Sequence, residues 1–177
     1  MNKVEILAKF EESSKALTDY LKYLTKDEFE YAPEGKWNAG EQTIHVLKSQ
    51  KAINKGLKMP KFILKNRIGK ANRPSKGYDQ VVFRYHERLS EFGSKPGPKE
   101  FQPAKSSHSD LNRMLEGFKK TEETLKKLLK KWSEDQLDEF ILPHPLLGKV
   151  TVREMLYFSI YHMDHHQNLI KRYLKGV

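Results

Sequence analysis

Apolar residues at three- and four-residue steps recur in four long stretches of this chain, and no stretch shows sustained period-two alternation. On an α-helix that spacing gathers the apolar side chains into one stripe, which is buried only by packing against other helices. The sequence therefore predicts an all-α protein built as a four-helix bundle. In the first stretch Leu7, Phe10, Ser14, Leu17, Leu21 and Leu24 form such a seam, predicting a helix over residues 3–25.

Local signals mark where the other three helices begin. In "WNAGEQTIHVLKSQKAIN" Asn38 can cap a helix while Glu41, three residues on, closes a capping box. That helix is expected to run to Asn54, with Gly56 as its stop. The third helix carries Leu111, Met114, Phe118, Thr121, Leu125, Leu128 and Trp132, with Ser107 and Asp110 as its capping pair. The fourth starts at Thr151, where Glu154 completes the same signature, and continues to Leu174.

Between the second and third helices lies a long connection containing a shorter helical pattern, "YDQVVFRYHERLSEF", flanked by Gly, Pro and Lys-rich stretches at 66–77 and 93–105. A crossover of this length releases the two helices it joins from being adjacent antiparallel neighbours. No repeat or second domain is visible, and 177 residues suit a single domain, 1–177, with a core of its own.

The chain has no cysteine, which excludes disulfides, thiolate metal sites and a cysteine nucleophile. No run approaches the roughly 20 apolar residues of a membrane span, so the expectation is a soluble, cytoplasmic protein. The net charge of +10 is uneven: ten Lys or Arg and no acid lie between Gln42 and Tyr78. Such a block, residues 48–76, suits either a solvated face or a surface for nucleic acid or another anionic partner, with Phe62 and Ile63 among its lysines. No helix-turn-helix, RNA-binding sheet motif or zinc finger accompanies it.

Three of the seven histidines fall within "YHMDHHQNLI". Helical residues advance by about 100°, so His162 and His166 project side by side, about 40° apart. Met155, Leu169 and Tyr173 share their direction, which sets the pair in the buried stripe; His165 lies at its margin and Asp164 points away. Such a pair is either an ordinary pair of core histidines or two ligands of a metal. A third ligand would come from another helix, and His45, two turns into the second and beside Ser49 and Ala52, is the best-placed candidate. Three neutral imidazoles suit a divalent ion such as Zn²⁺ or Ni²⁺ with a position left open for water or substrate.

"WNAGEQTIHVLKS", followed far downstream by "HPLLGKVTVREMLYFSIYHMDHHQNLI", resembles the DinB superfamily of four-helix metalloproteins, which takes in YfiT-like proteins and thiol-dependent S-transferases. The resemblance lies in a Trp at the start of the second helix, a His two turns later, a His-Pro-x-x-Gly-Lys-x-Thr approach to the fourth helix, and His-x-x-His-His within it. It implies an up-down-down-up bundle, commonly a homodimer, and a metal triad at His45, His162 and His166. Met155 and Leu169 depart from the residues common at those places in the family.

The resemblance further implies a metal-dependent hydrolase or thiol S-transferase, activating water or a low-molecular-weight thiol against a small electrophilic substrate. Glu41, one turn before His45, is a candidate general base or ligand-orienting group, against its capping role. His144 is a candidate for the pocket mouth, or for holding the turn into the fourth helix. Trp37 stands at a staple position suited to packing, Tyr157 and Tyr161 flank the ligand turn, and His86 and His108 read as surface residues.

Overall fold

The computed structural model describes residues 1–93 and 95–175. In chain order they form α1 (Lys3–Tyr23), α2 (Lys26–Glu30), α3 (Ala39–Lys58), α4 (Lys61–Arg67), α5 (Tyr78–Phe92), α6 (Leu111–Leu129), α7 (Glu134–Glu139), a hairpin of β1 (Ile141–His144) and β2 (Gly148–Thr151), and α8 (Val152–Leu174). The four predicted helices are α1, α3, α6 and α8. The starts of α3 and α8 are closed as the capping signals require, Asn38 with Glu41 and Thr151 with Glu154 satisfying one another's backbone N–H groups, and α1 starts with a further box, Asn2 with Glu5, that its helical spacing did not announce. The Ser107 N–H donates to the Asp110 carboxylate at 3.1 Å in a short 3₁₀ turn that leads into α6, while the Asp110 N–H goes to the Ser107 backbone carbonyl.

The four long helices form a ring in which α1 packs on α8 and α6, and α3 packs on α6 and α8. Contacts at one end fix the direction of each. The C-terminal residues of α3 and α6 meet where the Trp132 indole N–H donates to the Leu57 carbonyl at 3.3 Å. The start of α1 joins them through Lys3, whose ammonium donates to the Trp132 carbonyl, and Arg153 at the start of α8 donates to the carbonyl of Met1. The order is therefore up-down-down-up, and α3 and α6 are parallel neighbours, an arrangement that needs the crossover to carry the chain back along the bundle. Ile6, Phe10, Leu17, Leu21, Phe118, Leu129, Leu156, Ile160 and Met163 fill the space between the helices. Inside that seam Thr121 donates to Gln50 and Asn54 donates to the Thr121 carbonyl, so the polar groups of α3 and α6 pair with each other.

The structure corrects three details. Gly56 does not stop the second helix; α3 continues to Lys58 and ends before Pro60. A Cβ at Gly56 would lie 3.0 Å from a Leu142 methyl, so the glycine admits β1 against the helix. Trp132 lies beyond α6, in the turn that follows, yet is buried. The hairpin itself is unforeseen, because two four-residue strands are too short for period-two alternation to register.

The basic block is partly consumed by the fold. Lys48 and Lys61 donate to backbone carbonyls, Lys70 pairs with Glu139, and Arg73 forms a two-pronged pair with Glu154 at 2.5 and 2.9 Å. Glu154 is 1% exposed and also accepts from the N–H groups of Lys76 and Thr151. Burial pushes its carboxyl up, but Arg73 and those N–H groups outweigh burial and hold it below the ordinary value of 4.5.

This pair ties the crossover to the start of α8. Replacing Arg73 by Met leaves a buried carboxylate with only its backbone donors, and the expected loss is about 2–3 kcal/mol in urea unfolding. A carboxyl held lower in the folded state stabilises above its unfolded pKa and loses that contribution as pH falls through the folded value. Wild-type stability is therefore expected to fall below pH 4.5 more steeply than that of Arg73→Met.

Candidate metal centre

His45 comes from α3, and His162 and His166 come from successive turns of α8 where these helices face each other. Their Nε2 atoms converge: His162 Nε2 lies 3.2 Å from that of His45 and 3.0 Å from that of His166. One ligand atom from each of the three falls within 4.8 Å of the other two. A tetrahedral ion with bonds of about 2.0–2.1 Å would separate neighbouring ligand nitrogens by about 3.3 Å, within a few tenths of the two distances from His162.

The other ring nitrogens decide which way the lone pairs point. His45 Nδ1–H donates to the Phe101 carbonyl at 2.8 Å, and His166 Nδ1–H donates to the Gln42 side-chain oxygen. Neutral rings so bound carry no proton on Nε2. His162 can offer at most one N–H to two facing lone pairs, so one close nitrogen contact has no proton in it. A cation between the three rings resolves that conflict, and the donor set fits one.

Burial keeps the rings neutral. His162 and His166 are buried, and desolvation carries both well below the ordinary value of 6.5, with positive charge on neighbouring histidines acting the same way. At His45 burial again dominates, opposed by the Phe101 carbonyl and reinforced by Lys48. Unprotonated imidazoles are the form that binds metal.

Aromatic rings wall the three nitrogens. Trp37 packs 5.1 Å from the His45 ring, Phe158 stacks on His162 at 4.7 Å, and Tyr85 of α5 stands 6.4 Å from His162. His165 sits beside the triad but faces Tyr85 and His86, and burial lowers it to about 4. Tyr161 pairs its hydroxyl with His86, an exposed residue, whereas the buried Tyr157 bonds Met1. Half-buried His108 meets the edge of Phe29.

Among the described residues, neither Glu41 nor His144 hydrogen-bonds to the three nitrogens. One Glu41 oxygen accepts from the Asn38 N–H at 3.1 Å and the other pairs with Lys105 at 3.0 Å. His144 Nδ1 accepts the N–H groups of Leu146 and Leu147 at 3.1 and 3.0 Å, holding the turn between the strands. Its ring lies 4.2 Å from Phe158, and burial lowers it to about 4.

Sequence reasoning missed Gln42 and Phe101. Gln42 lies three residues before His45, a spacing that places both on one face of α3, and this signal was available. Phe101 contributes a backbone carbonyl from the crossover, for which no side-chain pattern exists.

A four-helix bundle with a three-histidine centre between its second and fourth long helices defines a class of metal-binding helical proteins. The chain belongs to the DinB superfamily, whose family model matches residues 9–170. No curated protein matches it.

Gln42→Leu removes the acceptor that orients His166, and zinc affinity by chelator competition is expected to fall about 10- to 100-fold with the fold retained. Because burial keeps the rings neutral, affinity should be nearly flat from pH 8 to pH 6.5 and decline only at lower pH, as protons begin to compete.

Proposed function

We propose that the protein is a metal-dependent enzyme of the hydrolase or thiol S-transferase type, acting on a small electrophilic molecule. The observation that carries this reading is the convergence of three Nε2 atoms, two of them, on His45 and His166, left unprotonated and aimed inward by their Nδ1 hydrogen bonds. His45, His162 and His166 would hold the ion, Zn²⁺ or Ni²⁺ being best suited to imidazole donors. A bound divalent ion lowers the pKa of a water or thiol brought to it, which makes either a nucleophile near neutral pH.

The chain's own residues supply orientation and a dry wall. Phe101 and Gln42 fix two of the rings, while Trp37, Tyr85 and Phe158 present apolar surface around them. Glu41 and His144 act in this reading as positioning residues. Glu41 sets the first turn of α3, one turn before His45, and His144 braces the Phe158 ring that stacks on His162. Following the family resemblance, the working form is a homodimer inside the cell, which sedimentation velocity would test.

The activity is tested with zinc- or nickel-loaded protein in two assays: monochlorobimane with low-molecular-weight thiols, and hydrolysis of activated esters. Turnover in one of them, lost about 100-fold or more in His162→Ala with helicity unchanged, is the expected result. Equal rates for wild type and variant in both assays would contradict the enzymatic reading. His144→Asn is expected to retain metal and lower kcat by less than His162→Ala does.

A further inference from the structure

The fold brings together two basic segments that are far apart in sequence. Lys61, at the start of α4, donates to the Lys131 carbonyl at 3.0 Å and lies 5.0 Å from the centre of the Trp132 ring. The end of α3, the whole of α4 and the turn after α6 therefore share one pole of the bundle. Lys55, Lys58, Lys65, Arg67, Lys130 and Lys131 are exposed in these segments, and none of them has an ion-pair partner among the described residues. Glu134 and Asp138 of α7 are held by Arg153, leaving Asp135 as the exposed acid of that turn.

At the same pole Phe62 is 66% exposed, one of the few large apolar side chains left in solvent. Ile63 and Met59 beside it are only partly covered. Phe62 stands bare among these lysines, and Leu64 alone of α4 is fully buried in the core.

We propose that this pole is a docking surface for an anionic phospholipid bilayer. Phe62, with Ile63 and Met59, enters the boundary between headgroups and acyl chains, and the surrounding cations meet lipid phosphates and carboxylates. The charge is complementary to such a surface. One exposed ring flanked by aliphatic side chains suits apolar insertion, whereas single-stranded nucleic acid is gripped by successive rings on which bases stack. The surface is separate from the triad, so it localises the protein without taking part in its chemistry.

Full-length protein is sedimented with vesicles of phosphatidylcholine alone and with vesicles containing phosphatidylglycerol, at low and at high salt. Binding is expected only to the anionic vesicles, weakening steeply with salt as screening shortens the reach of the charges. Phe62→Ser should weaken it about tenfold, and each of Lys58→Glu, Lys65→Glu and Lys130→Glu about fivefold or more. These exposed positions are tested singly, with helicity and zinc binding as controls, so failure of one variant to fold leaves the others readable. Absence of binding at low salt, equal binding to neutral vesicles, or binding indifferent to all four substitutions would overturn the proposal. A fluorescent oligonucleotide bound more tightly than the vesicles, through the same residues, would reassign the surface to nucleic acid and overturn it equally.

Discussion

Three imidazole nitrogens gathered within 4.8 Å inside a helical bundle form the arrangement on which the rest of the structure turns. Left to themselves, neutral rings with facing lone pairs would separate, because each buried nitrogen seeks a donor. They are held by what surrounds them. The paired seams of α3 and α8 bring His45 opposite His162 and His166, and the Gln42 and Phe101 oxygens turn two of the rings inward.

The crossover is accordingly part of the site and not only a connection. It runs back along the bundle because α3 and α6 are parallel. On the way it delivers Arg73 to Glu154, the Phe101 carbonyl to His45 and the Gln102 carbonyl to Lys48. At the start of α3, a Cβ on Gly40 would fall 2.2 Å from the Ser106 hydroxyl, so that helix is shaped to receive the returning chain. Burial acts on the same groups electrostatically, since the desolvation that makes the core also keeps the triad unprotonated.

Much of this was legible in the sequence, for identifiable reasons. Helical spacing reveals α1, and spacing together with capping boxes reveals α3 and α8, because both signals are local, and the His162 and His166 pair follows from the helical repeat alone. What stayed hidden depends on residues brought together from afar. Gly56 reads as a stop when only its own helix is considered, and becomes a contact once Leu142 is in place. The hairpin is too short to show a pattern, Phe101 acts through its backbone, and the alignment of Lys61 with Lys131 requires the tertiary fold. The excess charge of residues 48–76 also changed meaning, since Arg73, which looks like surface charge in the sequence, is the partner of a buried carboxylate.

The central claim is that His45, His162 and His166 together hold one divalent ion. It is tested most directly by anomalous diffraction at the zinc and nickel absorption edges, on crystals of protein purified without a histidine tag and supplied with the metal. The account predicts a single strong peak about 2.0–2.2 Å from each of the three Nε2 atoms. A map without a peak there, or with the ion bound by other residues while the three rings remain hydrogen-bonded to one another, would contradict it.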